Sequence, residues 1–205
     1  MDNDFTTPQP AGAPMPPQPY EPMPVNPQPG FFEAIGMAFS RWTDIRSRSR
    51  RSEYWWFSLF IFLYMLVIVF MIAIFSGAIF SMTNDIRTMV LFTICGVLLL
   101  ALPVTIPHCT LTVRRLHDCG QSGYWVLADI IVGVVYLGVY STILPDVIAI
   151  QSGNVAAIQS HSGALAFCGI TGLVQLVLRI IIFIFTLIDS KPEPNKWGKS
   201  PKFNI

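Results

Sequence analysis

Residues 54 to 81, YWWFSLFIFLYMLVIVFMIAIFSGAIFS, contain no charged side chain. Crossing a hydrocarbon core of about 30 Å takes about 20 mostly apolar residues in a helix, whose backbone polar groups pair within the segment. This stretch therefore predicts a transmembrane helix. Three others meet the same requirement: 88–112, which carries Pro103, Pro107 and His108; 124–150, with Asp129 and Asp146; and 163–188, with Gln175 and Arg179. A chain that is 53% apolar and 13% aromatic, with a mean hydropathy of +0.55, has too much apolar surface for an ordinary water-soluble domain. The expected fold class is all-α, a polytopic membrane protein with four transmembrane helices and a kink at the prolines of the second.

Net charge is only +1, and its distribution says more than its sum. Eleven of the thirteen lysines and arginines flank the spans on one side: five within 41–51, Arg114 and Arg115 after the second span, and four after the fourth. Arg87 lies in the loop after the first span, Arg179 lies inside the fourth, and the loop 151–162 has none. The positive-inside rule then places both termini in the cytoplasm. Arg114 and Arg115 become topology anchors, set where they can meet anionic headgroups of the bilayer.

Residues 1–30 hold ten of the sixteen prolines and no lysine or arginine. Such a segment cannot bury enough surface to fold, so a disordered, partly polyproline II tail is expected, followed by a membrane domain over 31–205. The tail reads as a solvated tether or, alternatively, as a ligand for an aromatic-lined groove on an unknown protein partner. From 31 to 45, Phe32, Ile35, Phe39, Trp42 and Ile45 recur at three- and four-residue steps. That spacing predicts an amphipathic helix lying in the membrane interface. The arginine run RSRSRR abuts a span with no folded basic domain around it, so no nucleic-acid partner is expected.

Cys95, Cys109, Cys119 and Cys168 include no C-x-x-C pair and are expected to be free. His117 and Asp118 are adjacent, but a metal needs three or four converging ligands and the neighbouring segments offer few. No metal or cofactor is expected. Signature motifs for nucleophile elbows, zinc proteases, phosphate loops and dinucleotide sites do not occur, which weakens an enzyme reading. Gly120 and Gly123 in CGQSG suit a tight turn beside His117 and Asp118.

Three stretches, FSRWTDIRSRSRRSEYWWFSLF, LTVRRLHDCGQSGYW and PEPNKWGKSP, resemble in order the signatures of a bacterial membrane family, domain of unknown function 805. The resemblance covers roughly 31–205 and implies a multispanning protein of the bacterial cytoplasmic (inner) membrane with no established activity. The residues matching its signatures are Arg51, Glu53, Tyr54 and Trp55; Arg114, Arg115, Leu116, His117, Asp118 and Gly120; and Pro194, Asn195 and Gly198. Lys196 and Trp197 stand where the family usually carries Arg and Tyr, which keeps a charge and a ring but not a bidentate fork. All three signatures fall on the side that the charges place in the cytoplasm. They are expected to form a polar lid, with Glu53 and Asp118 paired to arginines from neighbouring segments.

Three functions compete. One is a non-enzymatic protein that organises or regulates partners through the lid and tail. A second is a small transporter or channel whose path uses His108, Asp129, Gln175 and Arg179, since intramembrane polar groups mark such paths. A third is an enzyme acting on lipid headgroups at His117 and Asp118. Asp129 and Arg179 lie deepest in their spans and are expected to pair, facing the bundle interior, with His108 close enough to join.

Overall fold

The computed structural model describes residues 23–151 and 162–203, with side chains throughout except over 145–151. Residues 1–22 of the Pro-rich tail, the Asp146 side chain and most of the loop expected over 151–162, His161 included, lie outside the described residues. Among the described residues five helices follow in order: α1 (Phe31–Ser40), α2 (Arg51–Thr83), α3 (Ile86–Asp118), α4 (Tyr124–Gln151) and α5 (Ser162–Leu187). The fold is all-α, and its last four helices are long and apolar enough to cross a membrane. At about 1.5 Å per residue, the 33-residue α2 and α3 are each about 50 Å long, well beyond a hydrocarbon core of about 30 Å. Their surplus turns carry charge, at the start of α2 and the end of α3.

α3 runs on to Asp118 instead of ending near 112, so the Arg-Arg-Leu-His-Asp segment is helix where a loop was expected. Nothing in VRRLHD breaks a helix. The stop is Gly120, whose φ of 79° lies in the left-handed region that only glycine enters freely. Its N–H donates to the His117 carbonyl at 3.1 Å and that of Gln121 to the Leu116 carbonyl at 2.8 Å, the two bonds of a Schellman cap.

α1 ends at Ser40, short of the expected Ile45. Asp44 competes for the backbone there: its carboxylate accepts from the N–H of Arg46 at 3.0 Å and of Ser47 at 3.1 Å, a local alternative to helix. α1 lies on α2 through Ala34 and Ala38, both fully buried, whose small side chains let the backbones approach. Phe39 meets Phe57 edge-on at 5.6 Å, while Phe32 on the outer face is 83% exposed.

α2 packs along α3 and α4 along α5, forming two hairpins with few contacts between them. The first hairpin turns in two residues. Asn84 takes a left-handed φ of 48° to close α2, and the Asp85 carboxylate accepts from the N–H groups of Arg87 and Thr88 to open α3. Farther in, the Ser76 and Thr93 hydroxyls bond at 2.7 Å, and a small core forms from Ala38, Tyr54, Phe57 and Leu111.

The described end of the Pro-rich segment is docked on the C-terminal tail. Val25 forms an antiparallel bridge with Phe203, and the Asn26 N–H donates to the Lys202 carbonyl at 2.9 Å. Arg50 Nη1 donates to the carbonyls of Asn26 at 2.6 Å and Pro27 at 3.0 Å. An extended segment makes no internal hydrogen bonds, so its carbonyls are available to such donors.

Candidate functional site

The helix ends nearest Asp118 converge on that carboxylate, which is fully buried. Arg48, from the linker between α1 and α2, lies 2.9 Å from Oδ1, and Arg115, one turn earlier on α3, lies 2.5 Å from Oδ2. The Ser190 hydroxyl, just past α5, donates to Oδ2 as well. Burying a carboxylate is costly unless its charge is matched and its lone pairs are taken, and here both conditions hold.

Each arginine does a second job. Arg115 turns its remaining donors to the carbonyls of Thr186 and Ile188, capping the C-terminal end of α5, whose last carbonyls lack helical partners. Arg48 donates to the carbonyls of Lys191 at 2.7 Å, Glu193 at 3.0 Å and Gly198 at 3.2 Å. One guanidinium thereby ties the linker, the end of α3 and the C-terminal tail together.

Glu53, in the first turn of α2, is the second buried carboxylate, 3.3 Å from both Arg41 and Arg114. The Arg114 guanidinium is fully buried, yet among the described residues none of its three nitrogens finds a hydrogen-bond partner. Its attraction to Glu53 is therefore coulombic, strong because water is excluded. With Arg41, Arg48, Arg114 and Arg115 set against Glu53 and Asp118, the cluster carries an excess of positive charge.

The tail closes over this cluster. Asn195 Nδ2 donates to the His117 carbonyl at 2.9 Å, while Asn195 Oδ1 accepts from the Trp197 N–H. Gly198 follows at a φ of 112°, exchanging backbone hydrogen bonds with Asn195, and Pro194 leads into the turn. That turn lays Trp197 flat on His117, with ring centres 4.2 Å apart and planes 10° apart. Gly123 must be glycine, since a Cβ there would sit 2.7 Å from a Val113 methyl. Beyond α5, burial works against ionisation of Asp189, but the Lys202 ammonium and the Ser190 N–H outweigh it and hold the carboxyl below the usual range.

The remaining lid residues are packing groups. Leu116 is fully buried, Tyr54 is buried with its ring 5.7 Å from His108, and the Trp55 ring meets Phe183 of α5 edge-on. Arg51 is exposed at the first position of α2. Arg48, Arg41 and Ser190 were not singled out by sequence reasoning. Arg48 is one of five arginines in an irregular run, and no local spacing separates it from the others. Among the described residues no group of three or more His, Cys, Asp or Glu side chains is placed to hold a metal, and the four cysteines are free.

The intramembrane polar residues are gathered only in part as expected. Asp129 does approach Arg179, 3.5 Å from Nε, but Arg179 is 69% exposed and the pair lies at the edge of the second hairpin instead of in a bundle interior. Gln175 is the closer partner, donating from Nε2 to Asp129 Oδ1 at 2.5 Å and to its carbonyl at 3.2 Å. The reason is the face on which α4 meets α5: Gly133 opposes Gln175 and Gly172 opposes Tyr136, so Gln175 is in the seam and Arg179 beside it. His108 does not join, because its side of α3 faces Tyr54 and Phe57 on α2. Gln175→Leu is therefore expected to lower stability by about 0.6–1.7 kcal/mol, and Arg179→Gln by less. Melting of the two variants in detergent checks the order; a larger loss for Arg179→Gln would reverse it.

Four long apolar helices, three of which (α2, α3 and α5) meet at one end in buried arginine–carboxylate clusters, define a polytopic helical membrane protein. The chain belongs to a family described as Protein of unknown function (DUF805), whose family model matches residues 42–199. That span contains the first signature stretch from Trp42 onward, the whole of the second, and the third through Lys199. No curated protein and no solved structure matches it.

Proposed function

We propose that this is a bacterial cytoplasmic (inner) membrane protein, with both termini in the cytoplasm and α1 in the interface, that organises or regulates partner proteins without catalysing a reaction. The observation that carries the reading is the state of the His-Asp pair. Asp118 is buried and committed to Arg48, Arg115 and Ser190, and His117 is stacked on Trp197. A headgroup hydrolase would need those groups turned toward substrate and free to exchange protons. Instead they form a permanent clamp, which leaves the outer lid surface and the Pro-rich segment as the contact surfaces. Exposed Phe32 and Trp42 on the α1 side suit burial among headgroups and acyl chains.

A transporter or channel is the second reading, favoured by one observation: Arg179 stands exposed within a span, where a charge is unfavourable unless it lines a polar path or meets another chain. Reporter fusions at Gln28 and Ser200 are expected to read cytoplasmic, and those at Asn84 and Asn154 external. An external signal from either terminus would overturn the orientation. For the activity itself, copurification from native membranes is compared between the full chain and one lacking residues 1–22. Partners retained by the first and lost by the second support the organising role; identical inventories, or ion flux in proteoliposomes, overturn it.

A further inference from the structure

The cleft between the start of α2 and the end of α5 holds a cavity of about 640 Å³. Its rim is cationic: Arg50, Arg51 and Lys202 line it against one carboxylate, Asp189, which Lys202 already engages. Its floor is apolar, made by Trp55, Trp56 and Leu59, and the last two are 39% and 40% exposed on the outer surface of α2.

Two polar atoms of residues lining this boundary, Ser52 Oγ and Trp55 Nε1, are buried and make no hydrogen bond with the described residues. Buried donors are almost always satisfied, so a pair of unsatisfied ones lining one cavity marks a group that it is shaped to meet. Arg50, which precedes α2, provides no side-chain cap for the first N–H groups of that helix, whose first two residues, Arg51 and Ser52, line the cavity. Cations, free N–H and O–H donors and a helix start together select an anion with several acceptor oxygens. The apolar floor, continuous with the outside of a membrane-spanning helix, selects one attached to a hydrocarbon chain.

We propose that this cavity binds one anionic phospholipid, its phosphate held by Arg51, Ser52 Oγ and Trp55 Nε1 and its acyl portion running along Trp56 and Leu59. The proposal needs only that the lid meets a bilayer surface, on either side. The reporter fusions test orientation separately, so the two can fail independently. A zwitterionic lipid fits less well, because its cationic headgroup meets Arg50, Arg51 and Lys202. A free phosphate ion fits less well because it leaves the floor uncovered.

Native mass spectrometry of the full chain, purified in mild detergent and given phosphatidylglycerol or phosphatidylcholine, tests this. One phosphatidylglycerol per chain is expected to be retained, and phosphatidylcholine about fivefold less. Ser52→Ala, which removes only the hydroxyl, and Arg51→Gln are each expected to weaken phosphatidylglycerol retention about fivefold. Melting without lipid should match the parent in both, since Ser52 Oγ has no partner to lose among the described residues and Arg51 is exposed. Lys202→Gln removes charge from the same rim if Arg51→Gln does not purify. Equal retention of the two lipids overturns the proposal, as does Ser52→Ala behaving like the parent, which would reduce the effect to diffuse surface charge. So does displacement of the lipid by inorganic phosphate as readily as by phosphatidylglycerol.

Discussion

Asp118→Ala is expected to lower the stability of the detergent-solubilised protein by about 3–5 kcal/mol, a large share of a typical folding free energy of about 5–15 kcal/mol. Asp118 is fully buried between Arg48 and Arg115, and removing it leaves two buried guanidinium groups with no counter-charge. The loss comes less from missing attraction than from stranded charge. Arg115→Ala should therefore cost less in the Asp118→Ala background than alone, because the charge it removes is already unpaired there. Asp118→Asn, which keeps the shape and one acceptor, should fall between. Thermal melting followed by size-exclusion chromatography reads all four proteins. An Asp118→Ala variant that melts with the parent would show that the lid is not structural.

Arg48→Ala is expected to have the second-largest effect, about 3 kcal/mol, and a different signature. Arg48 satisfies three tail carbonyls besides Asp118, so its loss should release the tail from Lys191 onward as well as lower the melting temperature. Limited proteolysis should cut Arg48→Ala within 191–203 at enzyme levels that leave the parent intact. Arg48→Lys keeps the charge but not the fork, so it is expected to restore the pairing with Asp118 and little of the tail protection. Equal protection of the tail in Arg48→Ala and the parent would show that other contacts, such as Asn195 on the His117 carbonyl, hold it unaided.

The spans were legible because the information is local. Whether a segment of about 20 residues is apolar enough to enter a bilayer depends on its own composition and length. The turn after α3 was legible too, as Gly120 and Gly123 stand where the backbone or a near neighbour admits no side chain. The end of α3 was misplaced because apolar content fell at Val113 while helix propensity did not. A helix ends where its backbone is capped, not where its side chains turn polar.

That Glu53 and Asp118 need cationic partners follows from placing acids beside arginines at the ends of apolar helices. Which arginine serves which acid does not follow, because the partners are far apart in the chain: Arg48 and Asp118 are 70 residues apart, and Arg48 and the Gly198 carbonyl 150. The side on which the Asp129–Arg179 pair lies has the same origin. Depth along a helix is readable from residue counting, but the direction a side chain faces depends on which seam two helices choose. Here Gly133 and Gly172 set that seam, putting Gln175 inside and Arg179 at the edge. Insertion into the membrane is a property of each segment taken alone, and the sequence by itself determined it; the pairing of charges is a property of distances between segments, and only the tertiary structure decided it.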